Sequence, residues 1–453
     1  MRVLLVSSGL PPRGHWGTEH YTRHLATGLA RRGHELAVVV PRSDVGGGAE
    51  VVRADADGFE LHMIPSSPRT TKRLEDSYAD PALEQAFGGL VDAWRPDVVH
   101  FLHLLWRLSA QLPGLCRQRG IPALFTATDL GLACHRGQMF DWRLRACGGP
   151  HPAEVCARCI REPSPFDDRP TRVLLKRWAV RLAHALGGLG VVVRAADVRR
   201  REAALAEAVA ALELLIAPTR AVEEVLLRAG VPRGKLERLL YSIDAQPLVA
   251  ARAAPPLGPV RIGFLGQFAP HKGLGTLVEA VRIASSRLPE SAEPWEVHLH
   301  GEGEAGRHRT YPDRILKQAQ TGVGRPPRLC VHPPFASLDL PRVLAGLDCV
   351  VVPSEWLENA PLVALEARAA GVWLLASAVP GLREIVEVGV HADLFPPGDA
   401  RALADALREV ILRRRGRSAA PGLPLSYDEH LAGVEACYQR ARARACGATE
   451  VVA

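Results

Sequence analysis

Two carboxylates stand eight positions apart in one stretch of this chain, residues 353–367, PSEWLENAPLVALEA. Glu358 is predicted to lie in a loop after an apolar strand, and Glu366 inside the helix that follows. Pro361 is expected in the first turn of that helix, where proline is tolerated. The free amides and the positive dipole end at a helix N-terminus bind anions, and phosphate suits them best. Glu358 and Glu366 would then contact hydroxyl groups on either side of a phosphate, which predicts a nucleotide-sugar site.

This stretch resembles the signature of retaining glycosyltransferases of family 4, which have the GT-B fold. Both glutamates agree with the family pattern, as do the Pro-Ser start, the Pro-Leu-Val core and the Ala-Gly end at Ala370-Gly371. The resemblance implies an α/β chain with two Rossmann-like, doubly wound domains that face a central cleft. The alternative interpretation is an ordinary surface helix that carries two solvated acids.

A second segment, residues 266–273 (GQFAPHKG), follows a predicted strand and opens a helix. It resembles the family's phosphate-binding loop, although Gln267 stands where relatives usually have arginine. Gln267 can donate a hydrogen bond but brings no charge, so donor binding is expected to depend more on Lys272. Gly266 belongs to the same loop, and Gly301-Glu302-Gly303 resembles the family's glycine turn beneath the base.

A third segment, Gly14-His15-Trp16-Gly17-Thr18-Glu19, follows the first predicted strand. It resembles the family's N-terminal glycine loop, which contacts both the phosphate end of the donor and the acceptor. Relatives usually have two adjacent glycines before the glutamate-bearing helix, whereas this chain has Gly17 alone at that place. A glycine turn before a helix is also an ordinary structural feature.

The residues expected near the acceptor differ more from the family pattern than the donor-binding residues do. Relatives often carry a His-Asp pair after the fourth or fifth strand, and the corresponding residues here are Thr128-Asp129. A threonine can donate a hydrogen bond but cannot carry a proton as imidazole can. His100 and His103 lie near a predicted strand end, where packed or solvated histidines are the simpler interpretation. We keep His103 and Asp129 as candidates for the catalytic site.

The resemblance implies roles for these residues. Glu358 would bind hydroxyls of the donor sugar, and Glu366 would accept hydrogen bonds from the ribose hydroxyls. Lys272 and the backbone around Asn359, Ala360, Pro361 and Leu362 would hold the diphosphate. The reaction expected is front-face substitution with retention, in which positioned charges stabilise an oxocarbenium-like state and the departing diphosphate. No cofactor is expected for the chemistry, and the nucleoside-diphosphate sugar is the donor substrate.

Four cysteines fall within 26 residues: Cys134, Cys147, Cys156 and Cys159. Cys156-Ala157-Arg158-Cys159 is a C-x-x-C pair, and four thiols in a loop suit tetrahedral zinc. The segment resembles cysteine-bearing insertions that occur in some family 4 relatives, and this resemblance implies a cysteine-insertion subgroup. Structural zinc is the first interpretation; free thiols or redox disulfides, and an iron–sulfur cluster, are the alternatives. The other five cysteines are scattered and are expected to be core or surface thiols.

Alternating strands and helices must position these residues. The pattern predicts strands Val3–Ser7, Leu36–Val40, Asp97–Leu102, Ala123–Thr126, Leu214–Ala217, Val260–Leu265, Val297–His300, Cys349–Val352 and Val372–Ala376, with helices Thr18–Arg32, Leu274–Ser286 and Tyr427–Ala445. This rhythm is typical of parallel, doubly wound sheets. Ligands bind beyond the carboxyl ends of such strands, here in the cleft between two halves.

The Ala- and Pro-rich segment Ala251–Pro259 reads as a linker between domains. We expect an N-terminal, acceptor-binding domain over residues 1–250, with the cysteine-rich insertion at about 130–165. A C-terminal, nucleotide-sugar-binding domain would occupy residues 260–425. The resemblance implies that the last segment, residues 426–453, forms a helix that crosses back onto the first domain.

The net charge and the composition of the chain limit the classes of partner that it is expected to bind. A net charge of +7 over 453 residues suits anionic small substrates, and no motif for reading nucleic acid is visible. The N-terminal apolar run is too short for a signal peptide, so a cytoplasmic location is expected, with the inner face of the membrane as a peripheral alternative. The basic stretches Thr171–Leu186 and Arg194–Leu205 suit either a membrane surface or a solvated face, and we prefer the solvated face.

Three functions are consistent with these sequence features. The first is a retaining glycosyltransferase that transfers a sugar to a small-molecule, glycan or lipid-linked acceptor. The second is a nucleotide-sugar epimerase on the same fold, and the third is a non-catalytic nucleotide-sugar-binding protein. The sequence leaves open the base, the sugar, the acceptor and the oligomeric state.

Overall fold

The computed structural model describes residues 1–11, 16–42, 50–54, 58–67, 73–162, 178, 193–251, 258–303, 310–319, 326–335, 337–413 and 422–447. Several sequence-based predictions therefore lie partly outside the described residues. The parts outside are Gly14 and His15 of the N-terminal glycine loop, residues 163–165 of the cysteine-rich insertion, the basic stretch Thr171–Leu186 apart from Trp178, residues 252–257 of the linker, and residues 448–453 of the last segment.

The first sheet contains eight strands, β1 (Arg2–Val6), β2 (Glu35–Arg42), β3 (Glu50–Ala54), β4 (Phe59–Pro65), β5 (Val98–Phe101), β6 (Ala123–Thr126), β7 (Leu214–Ala217) and β8 (Leu236–Arg238). Their order is β3-β4-β2-β1-β5-β6-β7-β8, and only the β3–β4 pair is antiparallel. The central strands read as apolar runs because helices cover both faces of a parallel sheet. Among the described residues of this half, the helices with defined bounds are α1 (Gly17–Arg31), α2 (Pro81–Trp94), α3 (Leu112–Gln118), α4 (Ala153–Arg161), α5 (Ala195–Ala211), α6 (Arg220–Arg228) and α7 (Gln246–Ala250).

The second sheet contains six parallel strands, β9 (Val260–Leu265), β10 (Trp295–His300), β11 (Arg328–His332), β12 (Cys349–Val352), β13 (Trp373–Ser377) and β14 (Ala392–Phe395). Their order is β11-β10-β9-β12-β13-β14. The remaining helices are α8 (Leu274–Arg287), α9 (Tyr311–Ala319), α10 (Leu340–Ala345), α11 (Leu362–Ala369), α12 (Pro380–Arg383), α13 (Ala400–Arg413) and α14 (Tyr427–Ala445).

Both sheets reverse their winding direction at a central strand. In the first sheet the chain leaves β1 toward β2 and later returns to pair β5 on the other side of β1. In the second sheet β9 pairs β10 on one side and β12 on the other. Such a switch point leaves a crevice beyond the carboxyl ends of the two strands, where ligands bind. The predicted α/β, doubly wound architecture is confirmed, and each predicted strand and helix agrees with the structure within two residues.

The helix α14 follows the second sheet in sequence but packs against the first. Tyr438 of α14 forms a 2.9 Å hydrogen bond with His100 Nδ1 on β5, and His430 forms a 3.1 Å hydrogen bond with Tyr21 on α1. All four side chains are buried. His100 is thus a packed core histidine, and burial lowers its pKa to about 3. These polar contacts fix the position of α14 within an otherwise apolar interface.

Candidate active site

A cavity of about 700 Å³ lies between the two sheets. Its walls come from the segments that follow β1, β6, β9, β10 and β12, which are the carboxyl ends predicted to bind ligands. Eleven of the twelve candidate catalytic and donor-binding residues line this cavity: Gly17, Asp129, Gly266, Gln267, Lys272, Glu358, Asn359, Ala360, Pro361, Leu362 and Glu366.

Glu358 lies in the loop after β12 and has a left-handed backbone conformation, with φ of 53°. Its side chain is buried, and Oε1 accepts two hydrogen bonds. Lys272 Nζ donates one at 2.7 Å, and Ser354 Oγ donates the other at 2.6 Å. A buried carboxylate with a cationic partner and a hydroxyl donor is held in one orientation. Both members of this ion pair face the cavity.

Lys272 is positioned by a short 3₁₀ turn over Pro270–Lys272. The turn presses against the loop after β12 because the next residue is Gly273, where φ is 74°. A Cβ atom at Gly273 would lie 1.8 Å from the carbonyl oxygen of Pro353, so no other residue fits this approach. The Lys272 ammonium also lies 4.9 Å from the centre of the Trp356 ring, a cation–π distance.

Helix α11 begins at Leu362, and Pro361 is its N-cap residue with φ of −66° and ψ of 120°. The prediction that Pro361 lies in the first helical turn is therefore wrong by one position. Proline favours extended backbone at the residue before it and has no amide hydrogen, so it can stand at the boundary itself. No side chain caps this helix end. Its first amides are therefore available to an anion in the cavity.

Glu366 lies one turn into α11, and 8% of its surface is exposed. Burial raises the pKa of this carboxyl to about 7. The ionised form is therefore poorly stabilised until hydrogen-bond donors reach it. A ligand with hydroxyl groups supplies such donors.

The glycine turn after β10 forms the far wall. A Cβ atom at Gly301 would lie 1.9 Å from the carbonyl oxygen of Gly266, so this contact requires glycine. His300 precedes the turn and lines the cavity. Burial lowers its pKa to about 4, which leaves the ring neutral at pH 7.

The N-terminal glycine loop reaches the cavity through Trp16, Gly17 and Thr18. Gly17 is the first residue of α1. Glu19 is buried and accepts a 3.0 Å hydrogen bond from Ser8 Oγ, so it fixes the loop that follows β1. This carboxylate supports the backbone and does not line the cavity.

His103 and Asp129 form a pair with 3.3 Å between Nδ1 and Oδ2. Asp129 lines the cavity, whereas His103 does not. The hydroxyl of Thr128 donates a 2.5 Å hydrogen bond to the carbonyl of Leu102, so this side chain is engaged by the backbone of the neighbouring strand end. On the expected acceptor side, the carboxylate of Asp129 therefore faces the cavity, and His103 contacts it from outside the cavity.

Several lining residues were not singled out from the sequence: Trp106, Arg136, Gln138, Tyr241, Phe335 and Trp356. Arg136 comes from the cysteine-bearing segment, and its guanidinium donates a 3.0 Å hydrogen bond to the carbonyl of Cys159. The only sequence signal for Arg136 was its place two residues after Cys134, within the cysteine-bearing insertion.

The four cysteines of the insertion gather around a second cavity of about 300 Å³. They are free thiols. Burial raises the pKa of Cys147 and Cys159, and raises that of Cys156 to about 11. Tetrahedral zinc would hold thiolates about 3.8 Å apart. Among the described residues, three metal-ligand atoms within 4.8 Å of one another occur only at His298, Cys330 and His332. The cysteine sulfurs as arranged do not fit a zinc ion.

Helix α5 holds the cysteine-bearing segment through Arg201, which is 1% exposed. Its guanidinium lies 2.9 Å from His135 Nδ1 and donates a 3.0 Å hydrogen bond to the carbonyl of Gly131. The prediction of a solvated basic face over Arg194–Leu205 is therefore wrong for Arg201. Helical periodicity places Arg201 on the buried face of the helix, whereas its neighbours Arg199 and Arg200 are exposed.

Within the described part of the chain, no helix combines the length and apolarity that crossing a membrane requires.

Comparison with protein families gives two matches along the chain. Residues 17–186 match the model described as Glycosyltransferase Family 4, and residues 259–413 match the model described as Glycosyl transferases group 1. Glycogen synthase of Mycobacterium tuberculosis is 27% identical over 448 residues, which cover 94% of this chain and 91% of that protein. D-inositol 3-phosphate glycosyltransferase of Xylanimonas cellulosilytica is 30% identical over 296 residues, 59% of this chain and 68% of that protein.

Solved structures resemble the whole chain. Sucrose-phosphate synthase from Thermosynechococcus elongatus superposes with a TM-score of 0.59 at 19% identity and covers 98% of this chain and 94% of its own. Anabaena HepE in complex with UDP-glucose gives a TM-score of 0.57 at 15% identity, with 98% of each chain covered. These similarities confirm the predicted two-domain fold.

Proposed function

This chain belongs to glycosyltransferase family 4 and has the GT-B fold, and we propose that it transfers a sugar from a nucleoside-diphosphate sugar to an acceptor hydroxyl with retention of configuration. One observation carries the proposal. A cation, an uncapped helix N-terminus and two carboxylates line a single cavity between the two sheets. The epimerase and the non-catalytic protein are not favoured by any of these contacts.

The donor diphosphate binds at the N-terminus of α11 and at Lys272. In the free protein Lys272 is paired with Glu358 at 2.7 Å. An incoming diphosphate carries more negative charge than one carboxylate, so it draws the flexible lysine away. Glu358 is then free to accept hydroxyls of the donor sugar, and Ser354 keeps its carboxylate in place. Pairing in the free protein thus removes the cost of leaving a buried carboxylate alone.

The nucleoside lies on the other side of the diphosphate. Glu366 accepts hydroxyls of the ribose, and the base extends toward the glycine turn at Gly301, where His300 and Phe335 form the wall. The donor reported for the HepE structure is UDP-glucose, which makes UDP-glucose the first donor to test. Measuring nucleotide release from several sugar nucleotides identifies the base and the sugar of the natural donor.

Retention follows from front-face substitution. Departure of the diphosphate develops negative charge on its terminal oxygen, and Lys272 with the α11 dipole stabilises that charge. The same oxygen takes the proton of the acceptor hydroxyl as the new bond forms. Glu358 favours the positive charge that develops on the sugar ring. The protein's contribution is mainly to fix these groups before reaction, which is the largest source of catalysis in such sites.

The acceptor enters from the N-terminal side, between Trp16, Asp129 and Arg136. Asp129 is oriented by His103 and orients the attacking hydroxyl. A small molecule, a glycan and a lipid-linked sugar all present such a hydroxyl.

The test is the release of nucleotide from UDP-, GDP-, ADP- and dTDP-linked sugars, measured with and without candidate acceptors. We expect release that depends on acceptor for one nucleotide. Conversion of the donor without any acceptor would indicate an epimerase, and binding without turnover would indicate a non-catalytic protein. Near-normal turnover in both Glu358→Gln and Lys272→Ala would overturn the assignment of the site.

The sequence-based prediction of structural zinc at Cys134, Cys147, Cys156 and Cys159 is not supported by the arrangement of these side chains, because no three of the four sulfurs lie within 4.8 Å of one another. Metal analysis of the purified, untagged protein tests it. Near-stoichiometric zinc that is lost in Cys156→Ser would support this site, and its retention in that variant would reject it.

A further inference from the structure

Three ligand atoms of the kinds that bind transition metals converge on the second sheet, away from the cysteine-bearing segment. His298 lies on β10, and Cys330 and His332 lie on β11. One atom from each side chain lies within 4.8 Å of the other two. We propose that His298, Cys330 and His332 form a binding site for one zinc-class divalent transition-metal ion.

The sheet register explains why these residues meet. β10 and β11 are parallel neighbours, with His298 beside Cys330 and His300 beside His332. Side chains alternate between the two faces of a strand, so residues two apart share a face. His298, His300, Cys330 and His332 therefore stand on one face, whereas Val297, Leu299 and Val331 point to the other. The three ligands are half-buried, which leaves the site accessible to an ion.

The two histidines are already hydrogen-bonded to each other at the site. His298 Nδ1 and His332 Nε2 are 3.0 Å apart, so one ring donates a hydrogen bond to the other. Zinc–nitrogen bonds of 2.0–2.1 Å place two ligand nitrogens about 3.3 Å apart in a tetrahedron. For an ion to bind, the N–H hydrogen between the two rings shifts to the other nitrogen of its own ring, and both rings turn so that the two free lone pairs face the ion. Cys330 supplies the third ligand as a thiolate and releases one proton on binding.

A carboxylate orients the first ligand. The other ring nitrogen of His298, Nε2, lies 3.0 Å from Glu296 Oε2. That carboxylate is in turn 3.5 Å from Arg261 and 3.7 Å from Arg328. Metal-binding histidines commonly donate their second N–H to a carboxylate, which fixes the tautomer and directs the free nitrogen at the ion. Two imidazoles and one thiolate are a donor set that suits zinc.

The site lies next to the donor cavity. The ring of His300 stacks on that of His332 with 4.2 Å between ring centroids, and His300 lines the cavity. β11 is the edge strand of the described second sheet. An ion bound to β10 and β11 together would hold this edge in register beside the wall of the nucleotide pocket.

The experiment uses the untagged full chain, stripped with a chelator and titrated with Zn²⁺ alone, with affinity measured by competition against a chromophoric chelator. We expect one site, retained in Cys156→Ser/Cys159→Ser and in Val331→Thr. Val331 serves as the matched control because it is 51% exposed on the opposite face of the same strand. His332→Ala is expected to weaken binding at least about a hundredfold, since losing only a supporting residue costs 10–100-fold.

A second measurement uses the unmutated chain. Co²⁺ bound to the unmutated chain should give a thiolate-to-cobalt charge-transfer band with the intensity of one sulfur ligand. An intensity typical of four sulfurs, or the loss of binding in Cys156→Ser/Cys159→Ser with retention in His332→Ala, would assign the ion to the cysteine segment and overturn the proposal. Absence of any zinc binding by the stripped, folded chain would overturn it as well.

Discussion

The two walls of the central cavity are built in different ways. The C-terminal wall comes mainly from short, continuous segments: the Lys272 turn, the glycine turn after β10, and the loop and helix after β12. The N-terminal wall combines side chains from four distant positions: Trp16, Trp106, Asp129 and Tyr241. Under the proposed function, the first wall meets the diphosphate and the ribose of the donor, and the second meets the acceptor. The proposal therefore assigns the chemistry to one wall and the choice of acceptor to the other.

The largest effect is expected from the ion pair of the C-terminal wall. Glu358→Gln and Lys272→Ala should each lower kcat about 100- to 1000-fold, because each removes a fixed charge from the reacting centre. Steady-state kinetics of sugar transfer measure this. Glu355→Gln is the matched control in the same loop, since Glu355 binds the Thr276 hydroxyl and does not line the cavity. A comparable loss in the control would mean that the loop, and not the charge, is responsible.

The close approach of the Lys272 turn to the loop after β12 gives the next effect. Gly273→Ala must relieve both a φ of 74° and a Cβ 1.8 Å from the Pro353 carbonyl, so the turn has to move. We expect donor affinity to fall more than about tenfold and the folded state to lose at least about 1 kcal/mol. Isothermal titration calorimetry and denaturant unfolding measure the two quantities.

The matched control for Gly273 is Gly89→Ala in helix α2, where a Cβ meets nothing within 4 Å. That variant should be more stable by about 0.5–1 kcal/mol, since alanine is the better helix former. Destabilisation of equal size in both variants would show that the close approach at Gly273 is not the cause.

A smaller effect distinguishes the two carboxylates of the C-terminal wall. Burial raises the pKa of Glu366 to about 7, so at pH 6 most molecules carry a neutral carboxyl. Ribose hydroxyls favour the ionised form, so donor affinity should rise about tenfold between pH 6 and pH 8. Binding of a nucleoside-diphosphate sugar, followed by calorimetry across this range, measures the change. The pH dependence should vanish in Glu366→Gln, and its persistence there would exclude Glu366 as the titrating group.

The smallest effect on chemistry is expected on the N-terminal wall. Asp129→Asn should raise KM for the acceptor several-fold while donor affinity stays within about twofold, because Asp129 faces the acceptor side. Kinetics with varied acceptor and direct donor binding separate the two quantities. Equal losses of donor and acceptor affinity would remove the distinction between the walls.

The same contrast explains what the sequence could predict. The donor residues form contiguous motifs after apolar strands, so strand position and motif together predict where they lie. The pairing of Lys272 with Glu358 could not be predicted, because the two residues are 86 positions apart in the sequence. They meet only because Gly273 lets the Lys272 turn lie against the backbone of Pro353. Arg136 and Tyr241 carry no motif of their own.

Two further features escaped prediction for physical reasons. Strand β11 is a sheet edge with exposed and half-buried residues, so it lacks the apolar run that marks a buried strand. Its Cys330 therefore looked like a scattered thiol, and only the register with β10 brings it beside His298. The four cysteines of the insertion gave the stronger sequence signal, yet their sulfurs are not gathered closely enough for an ion.

A crystal structure with a bound nucleoside diphosphate tests the central claim most directly. The account predicts a phosphate at the N-terminus of α11, Lys272 Nζ moved from Glu358 to a phosphate oxygen, and ribose hydroxyls on Glu366. A diphosphate bound elsewhere, or a bound diphosphate with Lys272 still paired to Glu358, would contradict it.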